Sequence, residues 1–265
     1  MGEGVIVLDV DGVTENTEKG NKPDYKGQER ICDYVQTGHF GKSPRVVLNS
    51  GRSMNYLEVA ARNIGDPRVA IGEEGGILYE VWEDQITLIP TANAAQNTPT
   101  FDQIKRLLPD RVSFYPGKIV CTTVIPPGEM TVMQLYQRVC AALQRFQVNI
   151  SYSKEAVNIM PLGTDKGTGL LYLIQLWKSF GIEIDLAQSI GIGDSQNDFS
   201  FFEILTVGGG KIGCPANAAQ DCKDYIIKYG GYIATATFAG GTADILDLFF
   251  GKEPQQKVLT YLAAT

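Results

Sequence analysis

The sequence predicts an α/β protein, an open parallel sheet covered by helices with a small antiparallel α+β module inserted into it. Three observations lead there. Short apolar runs recur, each followed by a small polar cluster and then a helix-like stretch, as expected when strands alternate with covering helices. From about residue 78 to residue 161 that pattern gives way to strands near tight turns. It returns at Lys166.

The first parallel unit is Val5-Ile6-Val7-Leu8, followed by Asp9-Val10-Asp11-Gly12. The second is Arg45-Val46-Val47-Leu48, followed by Asn49-Ser50-Gly51. In the stretch after it, Met54, Leu57, Ala61 and Ile64 share one helical face, and Gly65 is a natural stop. Within the insert, ILYEVWEDQITLIP reads as two strands around an acidic turn, and FDQIKRLLP as a short amphipathic helix. KIVCTTVIPP reads as a strand, TVMQLYQRVCAALQRF as a helix and VNISYSKEAVNIMP as a hairpin. PTANAAQNTPT reads as a loop. The segment TDKGTGLLYLIQLWKSFG is a helix with Leu170, Leu173, Ile174 and Trp177 on one face, capped by Thr164 or Asp165. The last unit is Ser189-Ile190-Gly191-Ile192-Gly193-Asp194, followed by SQNDFSFFEIL.

The chain has 265 residues, 44% of them hydrophobic and 20% charged, enough for one large domain or two small ones with proper cores. A net charge of -7 argues against nonspecific nucleic-acid binding. It also requires any anionic ligand to meet a locally positive or cation-loaded site. The five cysteines are scattered and form no CxxC pair, so reduced thiols in a cytoplasmic protein are expected. Met1-Gly2-Glu3-Gly4 leads straight into a strand without a leader pattern. No apolar run approaches the roughly 20 residues of a membrane span, so no membrane partner is expected. The single histidine, His39, lies in the polar stretch QTGHFGKSP, which reads as a surface loop, and histidine-based catalysis is not expected. Nothing in these features bears on oligomeric state.

Ligands of open parallel sheets bind at the carboxyl ends of the strands. The residues just after each apolar run are therefore the candidates: Asp9 and Asp11; Asn49, Ser50 and Gly51; and Asp194, Ser195, Asn197 and Asp198. Residues two apart on an extended chain point the same way, so Asp9 and Asp11 can face one site. Carboxylates converging without histidine or thiolate suit a hard, oxygen-liking cation, of which Mg²⁺ is the natural choice. Ser50-Gly51-Arg52 opens a helix, where backbone N–H groups and a hydroxyl can hold an anion. Lys166 stands in the first turn of another helix, against the helix dipole, a local cost that a bound phosphoryl oxygen would offset. Singly, a DxD pair is an ordinary turn, SGR a helix cap and GDSQND a polar loop. GGGK at 208–211 lacks the spacing of a nucleotide-binding loop. Order and context carry the chemistry, since all four clusters fall at strand ends or helix starts of one α/β domain.

DVDGV, NSGR, the lysine of DKGTGL and GDSQND, in that order, resemble the four motifs of the haloacid dehalogenase superfamily of phosphatases. The insert resembles the type-two cap of its sugar-phosphatase branch, and CPANAAQDCKDYI resembles the segment that follows the fourth motif. The resemblance spans residues 5 to about 248. It implies a Rossmann-like core domain over 1–77 and 162–265 and an inserted α+β cap domain over 78–161. It implies that Asp9 is the nucleophile, that Asp11 is the general acid–base, and that Ser50, Gly51 and Lys166 bind the transferring phosphoryl group. Asp194 would hold Mg²⁺ with Asp9 and Asp11, the latter through its backbone carbonyl. Asp198 would orient metal-bound water or ligate directly, and Asn197 would position the phosphoryl group or Lys166. Among polar residues of the cap, Arg111, Lys118, Lys154 and Asn158 are candidates for substrate contact, as is Tyr115. Glu73-Glu74-Gly75-Gly76 departs from the branch's usual Glu-Asn-Gly-Ala, so a contact credited to that asparagine is not carried over. The implied function is Mg²⁺-dependent hydrolysis of a small phosphorylated metabolite, a sugar phosphate or related compound, through an aspartyl-phosphate. A phosphomutase of the same superfamily and a non-catalytic phosphometabolite binder are the alternatives.

Overall fold

A computed structural model describes residues 2–16, 22–39, 45–80, 85–88, 101–108, 112–153 and 156–263. Strand β1 (Val5–Leu8), helix α1 (Tyr25–His39), β2 (Arg45–Asn49), α2 (Met54–Asn63) and β3 (Val69–Gly72) begin the larger layer. A hairpin of β4 (Ile77–Glu80) and β5 (Gln85–Leu88) follows. The smaller module contains α3 (Phe101–Leu107), β6 (Ser113–Phe114), β7 (Thr122–Ile125), α4 (Val132–Leu143), β8 (Val148–Tyr152) and β9 (Val157–Pro161). The chain then returns through α5 (Lys166–Ser179), β10 (Ile190–Ile192), α6 (Phe199–Val207), β11 (Lys211–Cys214) and α7 (Gln220–Tyr229). It ends with β12 (Tyr232–Ala234), α8 (Phe238–Phe249) and β13 (Val258–Thr260).

Among the described residues the large sheet runs β13-β12-β11-β10-β1-β2-β3-β4-β5. The strands from β12 to β3 are parallel, and β13, β4 and β5 add antiparallel edges. Both faces are covered, which is why β1 is apolar throughout rather than alternating. Ile6 and Leu8 pack into one core with Ile31 of α1, Leu57 of α2 and Leu246 of α8. Val5 and Val7 pack into the other with Leu170 and Leu173 of α5 and Phe201 of α6. Helix α5 starts where Asp165 accepts a hydrogen bond from the Thr168 N–H at 2.8 Å, one of the two caps expected.

Two features differ from expectation. The strands of ILYEVWEDQITLIP, placed by the sequence inside the insert, pair with β3 in the large sheet, so the second sheet, β6-β7-β9-β8, begins only beyond them. A strand's own pattern records which faces are buried, and it does not record which neighbour takes its hydrogen bonds. Helix α1 runs on through His39, so that residue ends a helix instead of lying in a loop. The loop expected at 90–100 lies outside the described residues. The smaller module has a core of its own, with Ile104, Val124, Leu135, Val139, Val157 and Ile159 at its centre. No helix among the described residues is long and apolar enough to cross a membrane.

Candidate active site

Strand β1 lies between β10 and β2, and the order of connection reverses there. From β1 the chain steps to β2 and β3 on one side, while β10, β11 and β12 step away on the other. Such a switch point leaves a crevice at the carboxyl ends of the strands. The register puts three chain segments at one level, because Leu8 pairs with both Ile192 and Leu48. Asp9, Gly193-Asp194 and Asn49-Ser50 therefore emerge together.

Oxygens of Asp9, Asp194 and Asp198 lie within 4.8 Å of one another. Lys166 at the start of α5 reaches into the same place. Its Nζ is 2.8 Å from Asp9 Oδ1 and donates to Asp198 Oδ1 at 2.6 Å. The other Asp198 oxygen accepts from the backbone N–H groups of Asp194 at 2.8 Å and Ser195 at 3.1 Å, which fixes the loop after β10. Asn49 donates to the Lys166 carbonyl at 3.0 Å and so ties the end of β2 to the first turn of α5. Asp9, Asn49, Ser50, Lys166 and Asp198 are all buried.

Burial raises the Asp9 pKa well above the ordinary carboxylate value; Lys166 pulls it back, and Asp198, Asp194 and Asp11 add to it. Burial acts to lower the Lys166 pKa, but Asp198, Asp9 and Glu74 outweigh it, and the ammonium form is held. One lysine faces several carboxylates here. The charge balance and the all-oxygen donor set fit a divalent hard cation beside Lys166.

The Asp11 carboxylate, expected to act as the general acid–base, is held by Arg52. Arg52 grips it with Nε and Nη2, each at 2.7 Å. The planar fork of arginine matches a carboxylate and offsets its charge. Arg52 Nη1 donates to the Tyr115 hydroxyl at 2.7 Å, and the guanidinium lies 4.5 Å from the Tyr56 ring centroid and 5.4 Å from that of Tyr115. Arg52 thus joins Asp11 to the smaller module. The sequence signalled only the helix start that contains it.

Gly12 has φ +79°, and a Cβ there would collide with the Asp194 carboxylate. The loop is pinned by Asn217, which donates to the Gly12 carbonyl at 2.8 Å and accepts from the Phe238 N–H at 2.7 Å. That asparagine lies in the late segment singled out by resemblance. Ser50 accepts from the Arg52 N–H at 3.3 Å.

The loop after β3 contributes two residues that the sequence did not assign. Glu73 and Glu74 have φ of 52° and 58°, left-handed backbone that residues with a Cβ seldom adopt. The Glu73 carboxylate is fully buried and accepts the N–H groups of Ile119, Val120 and Cys121 at 2.6 to 2.9 Å. It fastens the smaller module to the large sheet. Glu73→Gln loses the charge and turns an amide donor toward donors, so unfolding stability should fall by roughly 2–4 kcal/mol. Urea unfolding measures this, and a change below about 0.5 kcal/mol would show the clamp to be idle.

Glu74 accepts from Asn158 at 2.8 Å and from Asn197 at 3.4 Å. Asn158 in turn accepts from the Thr123 hydroxyl at 2.6 Å, and Lys118 donates to Thr123. Lys118 and Asn158 therefore form a polar chain that ends on Glu74. Arg111 and Lys154 lie outside the described residues.

The family model for haloacid dehalogenase-like hydrolases matches residues 91–210. Over that segment the chain is similar to the haloacid dehalogenase-like hydrolases. Among similar proteins, a phosphoglycolate phosphatase of Methanococcoides burtonii is 24% identical over 242 residues, covering 91% of this chain and 94% of that one. One from Methanospirillum hungatei is 23% identical over 246 residues, covering 92% and 96%. Among solved structures, the chain resembles the sucrose-phosphatase of Synechocystis sp. with a TM-score of 0.69 at 15% identity, covering 94% of this chain and 99% of that one. A haloacid dehalogenase-like hydrolase from Bacteroides thetaiotaomicron gives a TM-score of 0.63 at 17% identity, covering 94% and 100%. These likenesses establish a shared fold across nearly the whole chain.

Proposed function

We propose that this hydrolase is a Mg²⁺-dependent phosphomonoesterase acting on a small phosphorylated metabolite, a sugar phosphate or a related compound. The observation that carries the reading is the buried Asp9–Lys166–Asp198 constellation at the switch point, with Asp194 beside it. Asp9, Asp194 and Asp198 would hold Mg²⁺, whose charge lets a carboxylate approach a phosphate dianion. Lys166 supplies a fixed second positive charge, and the Ser50-Gly51 loop receives the phosphoryl oxygens. An Asp9 oxygen bonds to phosphorus as the bond to the leaving oxygen breaks, giving an aspartyl-phosphate. Asp11 gives its proton to the leaving oxygen. Water then attacks phosphorus, Asp11 takes its proton, and phosphate departs to regenerate Asp9. Arg52 holds the Asp11 side chain in place with two hydrogen bonds. Tyr115 couples that hold to the smaller module, which we read as a cap that closes over the site and excludes water. The five cysteines are free, as in a protein of the reducing cytoplasm.

The test is phosphate release by purified protein from a panel of sugar phosphates, phosphoglycolate (after the relatives' names) and p-nitrophenyl phosphate, with Mg²⁺ and with EDTA. Release that requires Mg²⁺ is expected. Isomerisation of a sugar phosphate without release would move the reading to a mutase. A folded protein that does neither would overturn it.

A further inference from the structure

We propose that Glu74 is a specificity-determining residue, setting a fixed negative charge beside the leaving group and selecting neutral, hydroxyl-bearing alcohols over carboxylates. The inference rests on the phosphatase reading and adds to it the charge class of the substrate.

Three contacts place the residue. Glu74 packs against Gly51 so closely that a Cβ on Gly51 would strike Oε1, which sets the carboxylate directly beside the loop assigned to the phosphoryl oxygens. The same oxygen accepts from Asn197 on the turn after β10. It also accepts from Asn158 on β9 of the smaller module. Glu74 therefore stands where the phosphoryl site ends and the cap begins. A leaving group attached to phosphorus and reaching toward the cap passes it.

Its charge state follows from its partners. Burial raises the Glu74 pKa above the ordinary carboxylate value, Lys166 and Lys118 pull it back, and both amides donate to Oε1, where a carboxylate oxygen accepts them. The polar chain from Lys118 through Thr123 and Asn158 is oriented donor to acceptor toward Glu74, so it offers the carboxylate donors only. The backbone is held as well, because the Glu74 N–H donates to the Ser50 carbonyl at 3.2 Å. A buried, oriented carboxylate of this kind accepts a hydrogen bond from a substrate hydroxyl. A substrate carboxylate at the same place meets like charge in a poorly screened site.

The experiment compares two substrates of nearly equal shape, 2-hydroxyethyl phosphate and phosphoglycolate, which differ in a terminal hydroxyl or carboxylate. Wild-type protein, Glu74→Gln and Glu74→Asn are assayed, with p-nitrophenyl phosphate as a third substrate and inorganic phosphate as inhibitor. Gln keeps the shape without the charge, and Asn tolerates left-handed backbone, so at least one variant should fold. Wild type should favour the hydroxyl substrate in kcat/KM by about tenfold or more. The variants should bring that ratio close to one; any change in phosphoryl binding, read from inhibition by inorganic phosphate, is common to both substrates and cancels in the ratio. A wild-type ratio near one, or a ratio that persists in a folded variant, overturns the role of Glu74 and leaves the phosphatase reading intact. Absence of release from all three substrates by wild type overturns both.

Discussion

Asp9→Asn should abolish phosphate release, by about 10⁴-fold or more, while the protein stays folded. The amide has the shape of the carboxylate but cannot attack phosphorus. Its oxygen can still accept from the Val10 N–H, which Asp9 Oδ1 does at 2.7 Å, and from Lys166. The stability effect has a definite sign. Burial raises the folded-state pKa of Asp9, so its ionised form is disfavoured in the fold, and stability falls as pH rises through the unfolded value toward the folded one. Asn mimics the neutral form and escapes that cost at neutral pH. The melting temperature without metal should therefore hold or rise, and calorimetry with EDTA measures it. A melt well below that of wild type would mark Asp9 as structural, and retained turnover would remove it as the nucleophile.

Lys166→Met should damage both activity and stability. Release should fall by about 10²–10³-fold, the scale of losing one preorganised charge on the reacting group. The fold should lose roughly 3 kcal/mol in EDTA, because Asp9 and Asp198 are left buried without their shared cation. Mg²⁺ should restore more stability to the variant than to wild type, since it replaces counter-charge that wild type already has. Thermal melts with and without Mg²⁺ decide this. Equal metal stabilisation in both proteins would count against a cation held by these carboxylates.

The sequence made a large part of this molecule legible through burial. The apolar runs at Val5–Leu8, Arg45–Asn49 and Ile190–Ile192 are strands, and the polar residues after each converge on one crevice. They converge because parallel strands in register end at the same level, a consequence of topology that a repeated pattern can announce. Lys166 and its Asp165 cap were equally readable, since a cap and a one-faced apolar stripe are local features. Helix α1 was harder to see. Its buried face is short, with Ile31, Tyr34 and Val35 inside, and much of its docking is polar. Arg30 bridges Asp244 and Asp247 of α8, and the Tyr34 hydroxyl donates to Asp247 at 2.7 Å. Those partners lie more than 200 positions away and leave no mark on the local pattern.

By itself the sequence determined which residues stand at strand ends and therefore which carboxylates and which lysine can meet. Only the tertiary structure decided how each is used. It paired Asp11 with Arg52, gave the hairpin at 77–88 to the large sheet, and turned Glu73 and Glu74 into a clamp and a neighbour of Gly51. The physical reason is the same in each case. Period and composition record which side of an element is buried, whereas ion pairs, sheet edges and buried acceptors are chosen among partners that only folding brings within reach.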